Sequence, residues 1–137
     1  MAVALAALGT TGATPVGRLD VTVERLRSTK GVLRVCLTTE ATRFPSCVGD
    51  ANAVRLQVPA TQTHFSLPGL RYGTYALAVI HDENDNRRLD KLAGIPREGF
   101  GFSRDPAMRF GPPRFAAARF EVGHETESER VKMRYMF

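Results

Sequence analysis

Sulfur and imidazole are scarce in this chain, which has two cysteines and three histidines among its 137 residues. Two sulfurs with no histidine close by exclude a structural zinc site of the finger or ribbon kind. No apolar run approaches the length needed to cross a bilayer as a helix. Repeats, low-complexity tracts and sustained helical periodicity are also missing. The net charge is +5, but the basic residues are scattered among acidic ones and no RNP, zinc-finger or helix-turn-helix signature accompanies them. Nucleic acid is therefore not an expected partner, and the charge reads as a surface property. The glycine-rich stretch after Lys91 carries no following Lys-Ser/Thr pair, so it is not a phosphate loop. Ser66 and Ser103 lack the flanking residues that activate a nucleophile.

What remains is an ordinary globular composition, 43% hydrophobic and 24% charged, in a chain long enough to bury one core. Met1 to Ala13 is small and apolar, with Thr11 and Ala13 at positions that suit a cleavage site, and Thr14-Pro15 opens a different composition. Residues 1–15 are expected to be an export-signal remnant or a disordered arm, and 16–137 one domain. Export places the chain in the periplasm or outside the cell. In that oxidising setting Cys36 and Cys47, which flank a Phe44-Pro45-Ser46 turn, are expected to form a disulfide, with two buried thiols as the alternative. The closed loop is short, so the bridge contributes roughly 2–3 kcal/mol.

Period-two alternation dominates. Leu19, Val21 and Val23 alternate with polar neighbours, as do Leu33, Val35 and Leu37, then Val54, Leu56 and Val58, then Phe65 and Leu67. Each reads as a strand with one solvated face. Gly73 to Ile80 is apolar on both faces and reads as a central strand covered on each side. Further strands are expected around 115–122 and 131–135, for about seven in an antiparallel Greek-key β-sandwich of transthyretin-like or immunoglobulin-like type. Leu70-Arg71-Tyr72-Gly73-Thr74-Tyr75 reads as a tyrosine corner, with Gly73 at the turn and the Tyr75 hydroxyl returning to the backbone. Residues 84–113 form a long Gly- and Pro-rich excursion.

The candidate site lies at the end of the central strand. Asp82, Asn84, Asn86 and Asp90 carry side-chain oxygens at the spacing of a calcium loop, and the Arg88 carbonyl falls where a backbone ligand belongs. The position reserved for glycine is Arg87 and that of the closing bidentate glutamate is Ala93, so only a modest-affinity Ca²⁺ site is expected, with Glu98 as a further ligand. The alternative is an Asx-rich turn capping its own backbone. His81 and Glu98 are candidate acid–base groups, although a structural role for His81 is favoured. Phe100, Phe102 and Ser103 could present a ligand surface, with core packing as the competing role.

Leu67-Pro68-Gly69, Tyr75-Ala76-Leu77-Ala78-Val79, His81-Asp82-Glu83-Asn84 through Leu89-Asp90, Gly94-Ile95-Pro96-Arg97-Glu98-Gly99-Phe100-Gly101-Phe102-Ser103 and Gly111-Pro112-Pro113-Arg114-Phe115 together resemble the bacterial DUF2141 family. The likeness runs from about Leu19 to Tyr135. It implies an exported bacterial β-sandwich and no particular activity. The leading expectation is a non-enzymatic binding or structural module, monomeric, with an unknown protein or cell-envelope component as partner and Ca²⁺ stabilising the 82–90 loop. The competing expectation is a small-molecule hydrolase or binder that brings His81, Asp82 and Glu98 into a Gly/Phe-lined pocket.

Overall fold

Alternating sequences make half-buried strands, and this chain pairs them into two sheets whose apolar faces meet. The computed structural model describes residues 14–85, 91–92, 95–96, 98–108 and 111–136. In chain order the strands are β1 (Val16–Glu24), β2 (Val32–Thr38), β3 (Val54–Pro59), β4 (His64–Arg71), β5 (Gly73–Asp82), β6 (Lys91–Leu92), β7 (Ile95–Pro96), β8 (Gly99–Phe102), β9 (Phe120–Val122) and β10 (Thr126–Lys132). One sheet has the order β10-β1-β4. The other has the order β3-β2-β5-β8, with β9 pairing the start of β5, and β6-β7 make a small separate hairpin. The shared core includes Leu19, Val21, Leu33, Leu37, Phe65, Leu77, Val79 and Val131. This is the expected all-β sandwich.

Four details depart from the sequence reading. The two sheets hold eight strands rather than about seven. The first and last strands, β1 and β10, pair in parallel, so the sandwich is mostly antiparallel. The closing strand spans Thr126–Lys132 rather than 131–135. Phe115–Ala118 is a single helical turn instead of a strand, consistent with three consecutive alanines, the strongest helix formers, following Pro112-Pro113.

A fifth departure is β8, which lies inside the stretch expected to be an irregular excursion. Its alternation of Gly99, Phe100, Gly101 and Phe102 is a strand pattern with glycine as the inward residue. A Cβ at Gly101 would stand 2.6 Å from Val131 Cγ1 and 2.8 Å from the Lys132 carbonyl, and one at Gly99 would strike the Tyr135 ring. Only glycine lets the end of the chain pack this closely. An isolated bridge between Phe100 and Arg134 then ties the two sheets along that side.

The five-stranded sheet is apolar on its outer face as well. Cys36, Ala76, Ala78, Phe100, Phe102 and Ala118 form a second buried cluster, with Phe44, Met108 and Phe115 packed against it. Residues 41–53 reach this face because Cys47 is bridged to Cys36, as expected, with the two Cα atoms 5.8 Å apart. The Phe44 ring meets Phe102 and Phe115 edge-on, a favoured aromatic geometry. At the other end of β5 the Tyr75 hydroxyl donates to the Arg71 carbonyl at 2.7 Å, which is the expected tyrosine corner.

Candidate functional site

Successive residues of a strand point to opposite faces, and this decides how the candidate residues at the end of β5 are distributed. Tyr75, Leu77 and Val79 face the inter-sheet core, whereas Ala76 and Ala78 face the outer cluster. His81 follows the first set and Asp82 the second. The two residues adjoin in sequence, yet they serve opposite faces and do not line one cleft.

His81 is fully buried, and both ring nitrogens are engaged. Nε2 lies 2.8 Å from the Lys30 carbonyl and Nδ1 lies 2.7 Å from the Tyr135 hydroxyl. A carbonyl only accepts, so Nε2 carries the proton. In the neutral tautomer that leaves, Nδ1 accepts and Tyr135 O–H is the donor. The Tyr135 oxygen in turn accepts the Arg27 backbone N–H at 3.3 Å, and burial pushes its phenol up from the ordinary value. The Arg27 guanidinium stacks 4.5 Å above the same ring and donates to Glu83, whose second oxygen accepts from Ser28 Oγ at 2.8 Å. Burial raises the Glu83 carboxyl, but the hydrogen bonds from Arg27 and Ser28 outweigh it and hold the group below its usual range. The cluster uses the imidazole to fasten three chain segments together.

On the opposite face Asp82 is buried, and its Oδ2 accepts from Arg34 Nε at 2.9 Å. The same guanidinium donates to Asp85 Oδ1 at 2.7 Å and to Gln57 Oε1 at 2.8 Å. The Asp85 N–H bonds back to the Asp82 carbonyl, closing a turn with Asp85 in the left-handed region at φ 50°. Arg34 thus supplies positive charge to two of the loop's carboxylates. Of the expected calcium ligands, Asn84 is exposed and Glu98 is buried, whereas Asn86, Arg88 and Asp90 lie outside the described residues. Among the described residues no three His, Cys, Asp or Glu side chains are grouped to hold a metal. Asp82, with one oxygen committed to Arg34, is poorly suited to be a principal ligand.

Phe100 and Phe102 lie in the outer apolar cluster, in the packing role. Ser103 is fully buried. Its Oγ accepts the Leu77 N–H at 2.9 Å and donates to the Ala118 carbonyl at 2.5 Å, joining β5 to the helical turn. On the exposed face of the three-stranded sheet, Ser66 Oγ donates to Asp20 Oδ1 at 2.6 Å while His64 Nε2 pairs with Thr22 Oγ1 at 2.9 Å. Ser66 is therefore paired with a carboxylate rather than with the imidazole that a nucleophilic serine requires.

The sequence reading missed Arg34, Arg27 and Tyr135, the partners that organise the end of β5. A signal was present for Arg34, an arginine at an outward position of a strand whose neighbour is apolar on both faces. Its acidic partners are distant in sequence and could not be assigned from spacing.

Comparisons with curated proteins and with solved structures find no match. Residues 21–130 match a family described as an uncharacterized protein conserved in bacteria, DUF2141, and the chain belongs to that family.

Proposed function

We propose that this protein is an exported, non-enzymatic β-sandwich module that binds a protein or cell-envelope component. The observation that carries this reading is the commitment of the chemistry-bearing residues to the fold. His81 holds Lys30 and Tyr135, Asp82 holds Arg34, and Ser103 holds Leu77 and Ala118. Export is supported by the Cys36–Cys47 bridge, since disulfides persist in oxidising compartments.

Fractionation of cells expressing the full chain, with thiol alkylation before a non-reducing gel, tests the location. The expected result is protein outside the cytoplasm with both cysteines protected. Cytoplasmic protein with two alkylated thiols would overturn export. Crosslinking in intact cells tests binding, and the expected result is a discrete adduct of higher mass.

Calcium is the finer part of the reading. Asn84, Asn86, the Arg88 carbonyl and Asp90 would hold the ion, with Asp82 and Glu98 as further ligands. Bound Ca²⁺ would stabilise the loop by drawing its oxygens together. Thermal unfolding in Ca²⁺ against EDTA decides this, because ligand at a hundredfold over Kd stabilises by about 2.7 kcal/mol. An unchanged Tm in millimolar Ca²⁺ removes the ion from the account.

A further inference from the structure

The outer face of the five-stranded sheet is only partly covered. Strand register arranges it in rows across the sheet. One row runs Arg55, Cys36, Ala78 and Phe102, and the next runs Gln57, Arg34, Ile80 and Phe100. The disulfide-clipped segment lays Phe44 over the Phe102 end of the first row. Pro45 and Ser46 then stand as a wall, and between that wall and the second row a groove of about 340 Å³ remains. Its floor is Cys36, Ala78 and the half-exposed Ile80, and Arg34, Arg55 and Gln57 also line it. The volume lies within the range of small-molecule sites.

The groove's charge is one-sided, with two guanidinium groups and no carboxylate among its described lining residues. The two arginines are not equivalent. Arg34 is held on three sides by Asp82, Asp85 and Gln57, so its charge is largely compensated. Arg55 projects from the edge strand β3, is exposed, and has no ion-pair partner among the described residues. An apolar floor beside a guanidinium fork with no ion-pair partner among the described residues suits a monoanion with an apolar body. A carboxylate matches the fork's planar geometry. A dianionic phosphate is disfavoured, because Asp82 and Asp85 behind Arg34 would repel its second charge.

The geometry points to this groove as a binding site for a small amphipathic carboxylate, its apolar body on Ala78, Ile80 and Pro45 and its carboxylate on Arg55. This rests on the binding-module reading and names a ligand class for it. Octanoate, octan-1-ol and octyl phosphate are the probes, titrated into the oxidised full-length protein and followed by amide NMR shifts. Octanoate is expected to shift residues 45–46, 55–57 and 78–80 with saturation, and octanol to bind at least fivefold more weakly. Arg55→Gln is expected to weaken octanoate at least fivefold, while Arg119→Gln, at an exposed arginine of the β9 end, leaves it unchanged. Ser46→Trp, which fills the groove from its wall, is expected to abolish saturation. Shifts that do not saturate, that map to another face, or that survive Arg55→Gln in a folded variant overturn the site. Octyl phosphate binding as tightly as octanoate overturns the carboxylate assignment. Either failure leaves the binding-module reading standing, since that reading falls on the fractionation and crosslinking results instead.

Discussion

Tyr135→Phe isolates one oxygen whose loss should be felt at the centre of the cluster. The substitution keeps the ring, and with it the stacking of Arg27 at 4.5 Å and the packing on Gly99. It removes the O–H that donates to His81 Nδ1 at 2.7 Å and the acceptor for the Arg27 N–H. His81 is fully buried, so its nitrogen is left without a partner and without water. An orphaned buried acceptor costs about 1–3 kcal/mol, and the amide of the exposed Arg27 adds little because solvent can replace its acceptor. The expected loss is therefore about 1–3 kcal/mol, or several degrees in Tm for a domain of this size. Urea unfolding should show a lower midpoint with an unchanged slope. Nitrogen-15 shifts of His81 should report the Nε2–H tautomer in the parent protein. A Tyr135→Phe variant within about 0.3 kcal/mol of the parent, or an Nδ1–H tautomer, would refute the bonding scheme.

Four further outcomes follow from other parts of the fold. Gly101→Ala places a methyl 2.6 Å from Val131 Cγ1 and should destabilise by about 1–3 kcal/mol, read from urea midpoints. Removing the Cys36–Cys47 bridge by a double alanine substitution should cost roughly 2–3 kcal/mol for so short a loop and abolish the effect of reductant on Tm. Glu129 is raised by burial, partly offset by Arg104. A carboxyl raised in the folded state favours folding below its unfolded value of 4.5 and loses that contribution as pH rises through the folded value. Glu129→Gln keeps an acceptor for the Arg104 N–H and should raise the unfolding midpoint at pH 7, with the gap closing towards pH 4. Glu83 is lowered, so its contribution is present above the unfolded value and lost on acidification, and Glu83→Gln should flatten the acid limb of the stability curve.

The parts of this structure that were legible in the sequence are those with a local cause. Alternation marked β1 to β4, because a half-buried strand must repeat every two residues, and a run apolar on both faces marked β5. The tyrosine corner followed from Arg71 to Tyr75 alone, and the disulfide from two cysteines around one turn. Strand β8 was hidden because glycine at the inward positions removes the apolar signal that alternation relies on. The parallel pairing of β1 with β10 was hidden because nothing in either strand names its neighbour. At the candidate site the oxygen spacing from Asp82 to Asp90 is local and readable. The guanidinium that answers it comes from Arg34, two strands' connection away, and spacing carries no trace of such a partner. The same holds for His81, whose two bonds reach Lys30 and Tyr135.

The parallel pairing has a consequence for how the molecule comes into being. Strand β1 sits at the middle of its sheet, between β4 and β10, and one of its edges stays bare until the last strand has emerged and swung alongside. Such long-range closure is slow, and an unfilled edge is a template for pairing with another chain. A chain that stops short of Thr126 would expose that edge permanently. Assembly of the three-stranded sheet therefore acts as a completeness check, with β10 as the strand that closes it.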